Sequence, residues 1–218
     1  MAKNISKIIL LASMLILFGC SREEVPHTRG VYMLMDTSGT YTKELEQAQR
    51  VINFILSNLN PGDSFAVARV DTGSFSEKDI IAKVQFEDRP SRANQQKRIF
   101  RDKIDKFVKN VKGSAYTDIT GGMLQAIEWL NEARTGHNTI LIFSDLKEDL
   151  KKGFVRDIPL QLSGFSVVAL NVTKLRSDNI DPREYLNRLA AWQERVEAGG
   201  GTWQVVNDLE RLESVLTF

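Results

Sequence analysis

Short unbroken apolar runs alternate along the chain with longer stretches in which apolar residues recur every three or four positions. Val31-Tyr-Met-Leu-Met35 is the first run, and it ends on a carboxylate, Asp36. A short apolar run bounded by turn residues reads as a strand buried on both faces, as in a parallel sheet. From Lys43 the period becomes helical, with Leu45, Ala48, Val51, Ile52, Ile55, Leu56 and Leu59 on one face. Asn60-Pro-Gly-Asp63 is a turn. Ser64 to Asp71 and Ile80 to Phe86 then predict two strands able to form a hairpin at a sheet edge. Pro90 to Lys112 predicts a helix with Ile99, Ile104, Phe107, Val108 and Val111 inward. Ile119 to Ala133 predicts another, with Met123, Leu124, Ile127 and Leu130 inward and Gly121-Gly122 allowing close backbone approach. Thr139 to Asp145 and Ser166 to Val172 read as the fourth and fifth strands. Pro182 to Ala198 is helical, with Tyr185, Leu186, Leu189, Trp192 and Val196 inward, until Gly199-Gly-Gly201 stops it. Trp203 to Val206 is a sixth strand and Leu209 to Leu216 a short last helix, anchored by Leu212, Leu216 and Phe218 rather than acting as a lever. Six strands interleaved with helices predict an α/β, doubly wound, mostly parallel sheet with helices on both faces.

Chemistry concentrates where the first strand meets its helix. Asp36-Thr-Ser-Gly-Thr40 puts one carboxylate and two hydroxyls, Ser38 and Thr40, on the turn at the strand's carboxyl end. In open α/β sheets that crevice is where ligands bind. Hard oxygen donors suit Mg2+, Mn2+ or Ca2+ far better than Zn2+. Taken alone, such a turn is equally a helix N-terminus whose hydroxyls cap backbone N–H groups. Two further segments change the weighing. Gly113-Ser-Ala-Tyr-Thr-Asp-Ile-Thr-Gly-Gly122 is a polar loop entering a helix, and Thr139-Ile-Leu-Ile-Phe-Ser-Asp145 is a second buried run ending in a carboxylate. In this order the three segments resemble the von Willebrand factor type A family and its metal-ion-dependent adhesion site. The resemblance covers residues 30–218 and implies a Rossmann-like fold with strand order 3-2-1-4-5-6. It also implies a metal site of Asp36, Ser38, Thr40, Thr117 and Asp145, and a partner protein whose acidic side chain completes the cation's shell. Thr40 departs from the family's usual Ser but keeps the hydroxyl. Glu148 and Asp149 follow Asp145 closely; they either hold water around a cation and face a partner, or begin a short helical turn where anions are favoured.

The N-terminus has a different character. Lys3 and Lys7 precede an apolar run from Ile8 to Phe18, too short for the roughly 20 residues of a transmembrane helix, and its flanks fit a signal peptide. Leu17-Phe-Gly-Cys20 resembles the bacterial lipoprotein box, which implies residues 1–19 as leader and an acylated Cys20. Residues 20–29 then form a polar tether. Among the 218 residues Cys20 is the single cysteine, so no intrachain disulfide is available and the core alone must hold the fold. The expected location is the cell envelope, lipid-anchored. In a Gram-negative host it is the periplasmic face of the outer membrane, since Ser21 rather than Asp follows the cysteine.

Net charge is +1 with 42% apolar content, which suits one sizeable domain and argues against general nucleic-acid binding. Positive charge is local instead. Residues 89–112 carry nine basic side chains against Asp102 and Asp105. That face is either simply solvated or a docking surface for an anionic partner, in which Lys109 and Lys112 lie toward the Thr117 loop. Enzymatic signatures are weak. Asp71-Thr-Gly73 matches an aspartic-protease turn, but its would-be partner, Asp36-Thr-Ser-Gly39, has the Gly displaced and helices separate the two. A haloacid-dehalogenase-like phosphatase would need an acid where Ser38 stands. Neither Gly-x-Ser-x-Gly, a Walker loop nor His-Glu-x-x-His occurs. The expectation is therefore a metal-dependent binding module and not an enzyme. A scaffold with a purely structural metal is the alternative, and a metal-dependent hydrolase the less favoured one.

Overall fold

The computed structural model describes residues 27–38, 41, 44–70, 76–113, 115–153, 155–208 and 212. Strand β1 (Arg29–Asp36) leads to helix α1 (Leu45–Asn58), then β2 (Ser64–Val70) and β3 (Ile80–Gln85). Helices α2 (Pro90–Asn110) and α3 (Ile119–Ala133) follow, then β4 (His137–Phe143), β5 (Phe165–Leu170), α4 (Pro182–Ala198) and β6 (Thr202–Val206). The sheet order is β3-β2-β1-β4-β5-β6. Every pairing is parallel except β2–β3, the expected hairpin at the edge.

Strand β1 is the centre because its residues are apolar on both sides. Val31, Met33 and Met35 enter one core with α1 and α2, while Tyr32 and Leu34 enter the other with α3 and α4. A strand that feeds two cores cannot slip by one residue without exchanging both sets. Close packing at α3 needs Gly122, whose added Cβ would meet the Leu34 side chain. Leu212, within the predicted last helix, is buried in the first core; the rest of that segment, like Thr40, Cys20 and Asp71-Thr-Gly73, lies outside the described residues.

Several expectations are corrected. On α2 the buried face is Ala93, Phe100 and Ile104, and Ile99 is 50% exposed. The stripe includes the residue beside Ile99, because a helix advances about 100° per residue and Phe100 keeps register with Ile104. Leu186 on α4 is likewise 61% exposed while Trp192 and Val196 are buried. Strand β4 stops at Phe143, leaving Ser144 and Asp145 in the loop, and His137 opens β4 rather than lying in a turn. No helical turn forms at Glu148 and Asp149. Lys97, read as part of a solvated face, donates to the Leu59 carbonyl at 2.5 Å beside the Phe86 ring.

Helix α4 ends as its glycines foretold. Gly201 N–H donates to the Val196 carbonyl and Gly200 N–H to that of Glu197, with Gly200 at φ +85°. This pair of bonds satisfies carbonyls that a helix end leaves orphaned. At Gly199 the constraint is different, since an added Cβ would collide with the backbone carbonyl of Leu160. Gly199→Ala is expected to lower unfolding free energy by about 1–3 kcal/mol, measured by urea denaturation.

Candidate metal centre

Register puts the two candidate carboxylates side by side. Met35 pairs with Phe143 across the β1–β4 ladder, so Asp36, the last residue of β1, lies level with Ser144, the first beyond β4, and Asp145 follows at once. Strand order reverses here: the chain goes from β1 to β2 on one side and returns to β4 on the other. Each carboxylate is shaped by its own turn. Asp36 Oδ1 accepts from the Ser38 N–H at 2.8 Å, and Oδ2 accepts from the Ser144 hydroxyl at 2.7 Å. The Ser38 hydroxyl also bonds to Asp36. Asp145 Oδ1 accepts from the Lys147 N–H at 2.9 Å.

Asp36 and Asp145 are 1% and 5% exposed. Burial pushes both above the ordinary carboxylate value, and hydrogen bonds from Ser38 and Ser144 partly oppose this at Asp36. At Asp145 the Lys147 N–H opposes it, while the charge of Asp36 adds to it. Nearby Tyr41 is also pushed up, first by burial, with a contribution from the charges of both aspartates. Its hydroxyl donates to the Asn171 carbonyl at 2.5 Å.

Thr117 is buried, and its backbone exchanges hydrogen bonds with that of Asp149 at 2.8 and 2.9 Å. That bridge lays the Thr117 loop against the Asp145 loop. Glu148 accepts from the Thr120 N–H and hydroxyl, both at 2.7 Å, and pairs with Arg195 at 3.3 Å. It therefore occupies the N-terminus of α3, not of a helix of its own, and its carboxylate is engaged. Asp149, Lys109 and Lys112 are exposed.

Sequence reasoning missed what holds the Asp145 loop. Leu146 has φ +65°, a left-handed conformation costly for a branched side chain. Helix α4 fastens it: Arg188 Nε donates to the Asp145 carbonyl at 2.8 Å and Trp192 Nε1 to the Leu146 carbonyl at 3.0 Å. Arg188 is held in turn by Asp178, which accepts from both guanidinium NH2 groups at 3.2 and 2.8 Å. Ser144 was legible as a hydroxyl at a strand end. Arg188 and Trp192 lie more than forty positions away and carried no local signal.

Among the described residues six aspartates are buried: Asp36, Asp63, Asp79, Asp118, Asp145 and Asp178. Four of them pair with arginines, Asp63 with Arg29, Asp79 with Arg69, Asp118 with Arg156 and Asp178 with Arg188. Among the described residues Asp36 and Asp145 have no such partner. The two carboxylates thus lie beside hydroxyls with no ion-paired arginine, although the charges of Arg188 and Lys147 reach Asp145, and oxygens of this kind suit a hard divalent ion. Among the described residues no three His, Cys, Asp or Glu side chains gather for a metal; the present set has two carboxylates and relies on hydroxyls.

Neither protein-family models nor curated proteins match the sequence. Solved structures do match. A von Willebrand factor type A protein from Catenulispora acidiphila aligns at TM-score 0.53 and 14% identity, over 87% of this chain and 41% of that one. The pilus adhesin SpaC from Lactobacillus rhamnosus GG aligns at 0.54 and 10% identity, over 89% and 30%. The manganese-loaded TRAP protein of Plasmodium vivax aligns at 0.50 and 12%, over 87% and 72%. This chain thus spans less than half the length of the first two. The chain has a von Willebrand factor type A-like fold, doubly wound with strand order 3-2-1-4-5-6.

The Arg188–Asp178 pair yields a prediction. Arg188 is the first cause that holds the Asp178 carboxyl below its ordinary value. A depressed folded value means the stabilisation is present above the unfolded value, about 3.9, and is lost as pH falls through the folded one. The stability advantage of wild type over Asp178→Asn should therefore be flat at neutral pH and shrink below about pH 3.9. At pH 7, Arg188→Ala should cost about 3 kcal/mol by leaving a buried carboxylate unpaired. Urea denaturation across pH measures both.

Proposed function

We propose that this chain is a lipid-anchored module of the cell envelope that binds another protein through a divalent cation. The observation that carries the reading is the pair of buried aspartates, Asp36 and Asp145, that lack arginine partners while the four others have them. Asp36, Ser38, Thr40, Thr117 and Asp145 would hold Mg2+, Mn2+ or Ca2+. Bound there, the cation supplies a coordination position for a carboxylate oxygen of the partner. Asp36 and Asp145 neutralise the ion's charge. Ser144 orients Asp36, and Arg188 and Trp192 hold the Asp145 loop. The structural neighbours include an adhesin and a manganese-loaded protein, and both fit this assignment. The anchor would be Cys20 after removal of residues 1–19, with residues 20–29 as tether and residues 30–218 as the binding domain. Among the described residues no helix is long and apolar enough to cross a membrane.

Calorimetry with Mn2+ tests the centre. Wild type is expected to bind one ion, and Asp36→Ala to lose binding while keeping its fold, because a carboxylate at the crevice leaves no apolar cavity. Unchanged Mn2+ affinity in Asp36→Ala would refute the site. Partner capture that persists in EDTA would instead favour a scaffold with a structural metal.

Anchoring has its own test. Cys20→Ala should abolish incorporation of a palmitate analogue and shift the protein out of the membrane fraction or leave it unprocessed. Equal labelling of both forms would end that assignment.

A further inference from the structure

Helix α2 carries a concentration of positive charge that the aspartate crevice does not use. Residues 89–112 hold nine basic side chains, and among the described residues none of them enters an ion pair. Hydrogen bonds divide the helix into two flanks. On one, Lys97 donates to the Leu59 carbonyl and Asp105 accepts from Gln49 at 2.6 Å, so this side meets α1. On the other, Gln96 accepts from the Glu87 N–H at 2.9 Å and donates to the Gln85 carbonyl, so this side lies over the end of β3.

Three observations identify what the β3-side flank meets. A helix advances about 100° per residue, so Arg92, Ile99, Lys103 and Lys106 share this flank, and all four are exposed. Asp105 is turned to α1, Asp102 lies at the border, and Glu87 and Asp88 precede the helix. Secondly, Ile99 is 50% exposed, midway between Arg92 and Lys106. An apolar side chain among cations with long apolar stems is the pattern of a helix lying at an interface. Thirdly, Thr28 and Arg89 border one hollow, so α2 starts at the end of the sheet where the chain enters β1. From Cys20 to Thr28 is eight residues, at most about 29 Å when extended, while α2 itself spans about 31 Å. An anchored Cys20 therefore keeps this helix within reach of the bilayer.

We infer that the β3-side flank of α2 rests on a membrane surface rich in anionic lipid, an inference that relies on Cys20 as the anchor. Arg92, Lys103 and Lys106 meet the lipid phosphates, and Ile99 enters the apolar layer just beneath them. A bilayer is favoured over an acidic protein because the anchor already brings it to this end of the sheet. Its head groups also present anions in a plane, along the roughly 21 Å of helix from Arg92 to Lys106. Three cations, each worth about fivefold near an anionic surface, bias contact by about a hundredfold. That is enough to orient a chain already held by its lipid. With α2 lying flat, the crevice at the carboxyl ends of β1 and β4 opens along the membrane rather than into it.

The test uses the full acylated chain on vesicles of phosphatidylcholine, alone or in equal parts with phosphatidylglycerol. Ile99→Cys carries a polarity-sensitive nitrobenzoxadiazole dye, which an acylated Cys20 does not take up. Emission should shift to the blue only with phosphatidylglycerol, and added salt should reverse the shift. Lys103→Gln with Lys106→Gln should abolish it at unchanged Tm while the protein stays on the vesicles. Arg98→Gln with Arg101→Gln removes the same charge away from the flank and should leave it. Equal emission on both kinds of vesicle overturns the inference, as does equal loss in the two double variants, which is the mark of a general field. A shift produced by soluble polyglutamate but not by anionic vesicles would also overturn it, in favour of an acidic protein. Failure of the anchor is a separate result: the chain does not stay on neutral vesicles and Cys20 takes the dye. The labelled Cys20→Ala chain, added to the same two kinds of vesicle, then still decides whether α2 makes the contact.

Discussion

Met35 lies opposite Phe143 in the β1–β4 ladder, so the residues that follow, Asp36 at the end of β1 and Ser144 just beyond β4, lie at one level. Everything chemical in the crevice depends on that register. A shift of one residue would put Ser144 out of reach of Asp36 and turn the apolar alternation of β1 inside out. The register is protected because β1 supplies both cores at once, with Met33 and Met35 on one side and Tyr32 and Leu34 on the other. The site thus inherits its precision from hydrophobic packing, which is not local to it.

Precision at Asp145 comes from elsewhere. β4 has already ended, and Leu146 adopts a strained left-handed conformation. Strain of this kind persists only where the surroundings over-determine it. Arg188 and Trp192, one turn apart on α4, bond to successive carbonyls at Asp145 and Leu146. Arg195 reaches Glu148, which in turn caps α3 through Thr120. The loop is therefore pinned to two helices, and the bridge between Thr117 and Asp149 carries the second loop with it.

Most of this architecture was legible in the sequence because its signals are local. The apolar runs of β1 and β4, the proline starts of α2 and α4, and the glycine stop at residues 199–201 each carry their structure in adjacent residues. Faces of helices were legible only approximately. Ile99 and Leu186 sit at the borders of their stripes, where hydrophobicity alone does not say which neighbour, such as Phe100, the sheet will accept. The pins of the Asp145 loop were not legible at all. Arg188 looks like any charge on an amphipathic helix until the fold brings it against a carbonyl forty-three residues earlier.

Arginine placement is the strongest clue to the crevice. Arg188 comes near enough to bond the Asp145 backbone, yet its guanidinium is committed to Asp178. Positive charge is thus held one step away from the carboxylate. Two buried acids can also be accommodated by protonating one of them. The hydrogen bonds at Asp36 argue against that route, since the Ser38 N–H, the Ser38 hydroxyl and the Ser144 hydroxyl all donate toward it. Donors converging on a carboxylate favour its anionic form. Burial nevertheless outweighs these donors and holds Asp36 above the ordinary carboxylate value, with Asp145 beside it and arginine ion-paired to neither among the described residues.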